Sequence, residues 1–156
     1  MDEAFFHSPI GNLRIRANRT GICSVEFWDS PENRNGRSLS IVNPHLKSAL
    51  EELEKYFSGS VEAFRTPTSA EGTPFQRSVW HELTKLSSGS TTHYGAIAKR
   101  IGNPNASRAV GLANNRNPLP IIFPCHRVVG KNGSLVGYAG KLWRKEWLLR
   151  HEGAIA

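Results

Sequence analysis

Cysteine is scarce in this chain of 156 residues: only Cys23 and Cys125 occur. Two thiols make a poor disulfide framework, so the simpler expectation is a reducing, cytoplasmic setting. No apolar run approaches the ~18 residues a membrane helix needs, and no membrane partner is expected. The opening MDEAFFHSPIG lacks a basic segment followed by a long apolar core, so no secretory signal is expected. The six histidines show neither CxxC nor HExxH spacing, so no metal site and no cofactor are expected. Internal repeats and low-complexity segments are also missing. Acids are thin in the second half: residues 73–156 hold 12 Lys/Arg and 3 Asp/Glu, against 8 and 10 in residues 1–72. The net charge of +7 is therefore carried by the back half. A polyanionic partner would explain it, as would a generic basic surface.

What is present reads as an α/β (α+β) protein of two units: residues 1–63, a linker over 64–72, and residues 73–156. In the first, GNLRIRAN alternates apolar and basic positions, the period of a half-buried strand, and GICSVEFW does so less cleanly through Ile22, Val25 and Phe27. DSPENRNGRS reads as a polar loop. A helix follows, with Asn43 as N-cap, Pro44 as first residue and Gly59 as stop. Leu46, Leu50, Leu53 and Phe57 form its expected apolar stripe. The Pro- and Thr-rich FRTPTSAEGTP reads as the linker. Thr73 and Gln76 then supply a capping box for a helix buried through Val79, Trp80, Leu83 and Leu86.

Residues 94–118, YGAIAKRIGNPNASRAVGLANNRNP, predict two short helices, about 95–101 and 106–114, split by GNPN. Ile97, Ala98 and Ile101 are expected to face Ala109, Val110 and Leu112, the layout of a helix-turn-helix. The second helix is built of small residues with one long cation, Arg108, and no acid, which suits close approach to a groove. An ordinary helical hairpin would share the pattern. WRKEWLLRHEGA predicts a last helix, with Leu142, Trp143, Trp147, Leu148 and Leu149 on one broad apolar side and Gly153 as cap.

FPCHRVVG sets Cys125 beside His126 and Arg127. A thiol reacts as thiolate, and an ordinary cysteine is only a few per cent ionised at neutral pH. His126 is a candidate base, and Arg127 adds positive field. Adjacent residues point in different directions, so a water is an easy link between Cys125 and His126. Glu152, in RHEG, is a candidate third group that orients the base. A buried, inert cysteine is the plain alternative.

Taken together, RAVG, the NP pair, PCHR and KEWLLRHEG resemble the O6-alkylguanine-DNA alkyltransferases, the methylated-DNA–protein-cysteine methyltransferases. The resemblance spans about residues 73–153. The front half resembles the family loosely, through SPIG and the strand–helix layout. It implies a small ribonuclease-H-like N-terminal domain and a mostly helical C-terminal domain with a helix-turn-helix.

It also implies a direct-reversal repair reaction. Cys125 would take the alkyl group from O6 of guanine by in-line displacement and never be regenerated, so each molecule acts once. His126 would activate Cys125 through a water, and Glu152 would orient His126. Asn117 would join the helix-turn-helix to the active-site loop. Arg108 would replace the flipped nucleotide. Tyr94 would help rotate that nucleotide out and assist the leaving guanine. Tyr138, Ala139 and Val128 would line the base pocket. Gly95, Asn103, Ala106 and Lys131 join Tyr94 and Arg108 as implied DNA contacts.

The implied partner is double-stranded DNA, met in the minor groove, with the lesion rather than the sequence as target. Flipping the base costs a few kcal/mol. A monomer able to bind DNA cooperatively is implied, nucleoid-associated in a bacterial cell. Two positions depart from the family: Ala139 stands where some members carry serine, and Lys141 where glycine is common. The four-cysteine zinc module of the adaptive-response relatives is absent, so a methylation-triggered activator is not expected. Three other readings compete. A non-catalytic lesion binder would carry another residue at the cysteine. A Cys–His hydrolase would turn over small substrates and need no helix-turn-helix. A transcriptional regulator would tolerate Cys125→Ser.

Overall fold

The structure, a computed structural model, describes residues 1–29 and 43–156. Beyond Asp29, the polar loop read over DSPENRNGRS lies outside the described residues. The chain divides into two compact units, Met1–Glu71 and Gly72–Ala156.

The first unit is a three-stranded antiparallel sheet, β1 (Asp2–Ser8), β2 (Gly11–Ala17) and β3 (Ile22–Phe27), in the order β1-β2-β3. Leu13, Ile15 and Ala17 are buried and alternate with the half-buried Arg14 and Arg16. A register shift at Arg16/Ala17 accounts for the poorer alternation of β3, where buried Ile22 and Val25 are three apart. Helix α1 (Pro44–Phe57) packs across all three strands. Asn43 caps it, its side chain accepting from His45 N and Leu46 N. The buried face is Leu46, Ala49, Leu53 and Tyr56. Leu50 and Phe57, expected in that stripe, flank it half-buried; a helix advancing 100° per residue centres its face on the 3-4-3 spacing instead.

Residues 64–71, part of the expected linker, are bonded to this first unit. Ile22 N donates to Pro67 O (2.9 Å) and Ser69 N to Ile22 O (2.7 Å). A Cβ on Gly21 would stand 2.4 Å from Pro67 O, so this approach requires glycine.

The second unit carries α2 (Pro74–Thr84), α3 (Tyr94–Arg100), α4 (Ser107–Asn115), a 3₁₀ turn at Cys125–Arg127 and α5 (Leu142–His151). The capping box of Thr73 and Gln76 is formed. Helices α2, α3 and α4 pack on one another, and α5 packs on the 3₁₀ turn. In α4 the buried residues are Val110, Ala113 and Asn114, whereas Ala109 and Leu112 are exposed. Trp80 of α2 fixes that phase, its indole N–H donating to Ala113 O at 2.8 Å. In α5 the expected apolar side is turned. Leu142 and Trp143 are exposed, while Arg144 and Lys145 are buried with Leu148 and Leu149. None of the helices among the described residues is long and apolar enough to cross a membrane.

Candidate active site around Cys125

The backbone is tightly tied where it delivers Cys125. Phe123 N donates to Leu119 O (2.8 Å). Between them Ile121 adopts φ 75°, a region β-branched residues avoid at a cost of roughly 1–3 kcal/mol. Asn117, just past α4, braces this turn: its Nδ2 donates to Phe123 O (2.7 Å) and its Oδ1 accepts from Leu119 N (2.8 Å). The Trp80 ring stacks on Phe123 with centroids 6.1 Å apart. Beyond the turn, Thr92 N donates to Arg127 O (2.9 Å) and Val129 N to Thr92 O (2.8 Å). These bonds tie the Cys125 turn to the residues leading into α3.

Glu152 organises the charges. It is the C-cap of α5, and its side chain is only 1% exposed. Oε2 lies 2.7 Å from His126 Nε2. Arg127 donates to both carboxylate oxygens, Nε to Oε1 (2.8 Å) and Nη2 to Oε2 (2.9 Å), and its Nη1 to Leu86 O (2.7 Å). Burial alone would raise the Glu152 pKa, but the bonds from His126 and Arg127 prevail and hold it well below the usual range. An ionised carboxylate only accepts, so the proton on the imidazole sits at Nε2 and Nδ1 holds the lone pair. Nδ1 is buried and bonded to no protein group among the described residues. Burial lowers the His126 pKa; Glu152 opposes this, and the charges of Arg127 and Lys145 add to it. The ring is therefore a neutral base with one free basic atom.

Cys125 is 5% exposed. Burial pushes its thiol up to about 11, against the lowering influence of an Asn117 hydrogen bond, the Lys145 charge and the Tyr138 hydroxyl. The resting sulfur is thus a thiol, and thiolate has to be generated. The positive field expected from Arg127 does not serve Cys125, because that guanidinium is committed to Glu152 and Leu86. The cation acting on the sulfur is Lys145 of α5.

Tyr94 opens α3, half-buried behind the N-cap His93. Burial raises the pKa of its phenol, a hydrogen bond with Asn114 opposes this, and Cys125 adds to it, so the group keeps its proton. Val128 is fully buried, Tyr138 half-buried and Ala139 exposed. Arg108, Asn103 and Lys131 are exposed, and Gly95 and Ala106 partly so. The structure therefore brings Asn117, Tyr94 and Tyr138 to the Cys125 side chain and Glu152 to His126, with Val128 N bonded to Cys125 O. It leaves Arg108, Asn103 and Lys131 on the surface.

Two residues at this site escaped the sequence reading. Asn114 of α4 is 2% exposed, and its Nδ2 lies 3.5 Å from Cys125 O. Lys145 is 0% exposed. Each had a signal in its spacing. Asn114 falls four residues after Val110, and Lys145 three and four before Leu148 and Leu149, so both are polar residues on apolar stripes. Among the described residues no group of three or more His, Cys, Asp or Glu could hold a metal ion.

Two family models match the chain. The ribonuclease-like domain of 6-O-methylguanine DNA methyltransferase matches residues 1–70, and the DNA binding domain of the same protein matches residues 74–154. The chain belongs to the 6-O-methylguanine DNA methyltransferase family. A relative in Methanosarcina acetivorans, named methylated-DNA–protein-cysteine methyltransferase, is 47% identical over 155 residues, 99% of each chain. One of the same name in Methanosarcina mazei is 57% identical over 151 residues, 93% of this chain and 92% of that one. Among solved structures, Mycobacterium tuberculosis OGT in complex with DNA superposes with TM-score 0.84 at 36% identity, covering 97% of this chain and 92% of that one. These family relatives share the α+β fold expected from the sequence.

Proposed function

We propose that this protein repairs alkylated DNA by direct reversal, moving the alkyl group from O6 of guanine to its own Cys125. One arrangement supports the chemistry most: a buried thiol beside a neutral imidazole whose Nε2 is held by Glu152 and whose Nδ1 is free. The Cys125 proton passes to His126 Nδ1 through a water. The sulfur attacks the alkyl carbon in line, and the C–S bond forms as the C–O6 bond breaks. The departing electron pair stays on guanine, which takes a proton from the Tyr94 phenol. Tyr94 recovers a proton from the charged His126, which ends neutral. Freeing the thioether would need a further nucleophile to attack the alkyl carbon and expel thiolate, a poor leaving group, so each chain reacts once.

Reaching an atom inside the duplex requires flipping the nucleotide. Arg108, exposed on α4, is the side chain that enters the gap. The small residues Ala106, Ala109 and Gly111 let α4 lie close in the minor groove. Gly95, Asn103 and Lys131 contact the backbone, and Tyr138, Ala139 and Val128 surround the base. The protein acts as a monomer able to load cooperatively on DNA, in the cytoplasm at the nucleoid of a bacterial cell. The relatives' names and the DNA-bound neighbour support this reading.

The test is intact-protein mass after mixing with a duplex that carries one O6-methylguanine. The expected result is a gain of one methyl group, complete at one equivalent and absent in Cys125→Ala. A lesion bound without any mass gain would favour a non-catalytic damage binder. Neither binding nor gain would reject the reading.

A further inference from the structure

The reaction above gives no task to Lys145, the most deeply buried cation of α5. Lys145 Nζ donates to Val128 O (2.5 Å), Val136 O (2.6 Å) and Gly137 O (3.4 Å). Three acceptors call for three N–H bonds, so the group is an ammonium. Carbonyls solvate that charge but do not neutralise it. The second unit has three acids, and each is taken among the described residues. Glu82 pairs with Lys85 (2.9 Å), Glu146 with Arg150 (2.7 Å), and Glu152 with His126 and Arg127. A buried ammonium without an anion is costly to keep, and its fold-level alternative, a leucine or methionine in a helix core, would avoid that cost.

The groups around Cys125 show what the charge is for. Tyr94 of α3, whose phenol keeps its proton, and Tyr138 of the loop before α5 face the sulfur. Helix α4 and the residues after it offer the amides Asn114 and Asn117. In α2, Glu82 and Lys85 answer each other. In the turn itself, His126 is neutral, and Arg127 cancels Glu152 of α5. Among these groups one net positive charge remains, on Lys145, and the acid whose anion the reaction needs first is Cys125.

We propose that Lys145 is the built-in counter-charge of the Cys125 thiolate, held in place by a carbonyl cage that also pins the Tyr138 loop to Val128. It is a positioning residue and acts on the sulfur through space. Burial disfavours both charged forms, raising the Cys125 thiol to about 11 and lowering Lys145 to about 8, and the charge of each group opposes that shift in the other. The inference rests on Cys125 being the nucleophile of the proposed reaction.

The test reads the thiolate without DNA: the rate of Cys125 modification by iodoacetamide against pH, followed by peptide mass. Lys145→Met is expected to raise the midpoint by about one pH unit or more, a roughly tenfold slower modification below both midpoints. Lys145→Arg is expected to restore the rate to within about threefold, since it keeps the charge. A folded Lys145→Met protein with the wild-type midpoint overturns the inference, and so does Lys145→Arg as slow as Lys145→Met. If Lys145→Met does not fold, Lys145→Arg decides alone: a midpoint at or below wild type supports the counter-charge, and a higher one overturns it. Wild-type protein is assayed in parallel on the O6-methylguanine duplex. Methyl transfer there, with an unmoved Lys145→Met midpoint, removes only the role of Lys145. Failure of transfer in wild type removes the reading of Cys125 and the task of Lys145 with it.

Discussion

Glu152 serves two cations with one carboxylate, so Glu152→Gln should be felt twice. Arg127 would be buried without its counter-ion, a loss of roughly 3–5 kcal/mol from the second unit. His126 would lose the anion that fixes its tautomer, and transfer should slow by about 10² or more. Thermal melts and single-turnover rates measure these separately; a variant as stable as wild type would contradict the described geometry. Folding lowers the pKa of both His126 and Glu152. Toward acid, the unfolded chain therefore takes up these protons first. Stability should fall as pH drops below about 6.5, and further below about 4.5. Cys125 is raised by folding, so its effect has the other sign: its contribution is lost as pH rises from about 9 toward 11, against an opposite contribution from Lys145, which folding lowers to about 8. Melting midpoints across pH 4–11 would show the acid limb, and Cys125→Ala should make the protein relatively more stable than wild type as pH rises from about 9 toward 11. Local chemistry of this kind was legible where residue types announce it, as in PCHR and RHEG. It was not legible for Lys145 or Asn114, because a polar side chain inside a helix stripe reads as solvent-facing until its acceptors are known.

The helices were found from their spacing, but not always turned the right way. Helix α5 carries enough apolar residues to suggest a broad buried side, yet its phase is set by Lys145, Leu148, Leu149 and Glu152 together. Leu142 and Trp143 then fall outside. In α4, small residues line both sides, so the pattern could not say that Ala113 and not Leu112 meets Trp80. The entry to α5 adds a strained residue. Lys141 sits at φ 78°, ψ 143°, a combination that suits glycine. Lys141→Gly should relieve strain of roughly 1–3 kcal/mol and lose roughly 0.5–1 kcal/mol to the freer unfolded chain. The expected net gain is about 1 kcal/mol in denaturant unfolding, and a destabilised variant would count against this backbone.

At the scale of the whole molecule, the uneven charge is the simplest guide. The second unit pairs its few acids internally, so most of its lysines and arginines remain available to a polyanion. DNA affinity should fall linearly on a log–log plot against salt, and Lys131→Ala should reduce the slope by about one. A slope near zero would mean that phosphates carry little of the binding. Composition reads residues 64–72 as a linker, but a stretch rich in proline and threonine signals the lack of a helix, not the lack of contacts. Residues 64–71 show the difference, since their backbone bonds run to β3.

Glu152 lies 26 residues beyond the imidazole it holds, in the last turn of α5. On the proposed reaction, a nascent chain that has released PCHR but not yet wound that helix owns a nucleophile without a poised base. For a molecule that is consumed by its first event, this ordering is a safeguard. Reactivity appears only after the fold is finished, and a proteolytic nick ahead of Glu152 would retire the chain unspent.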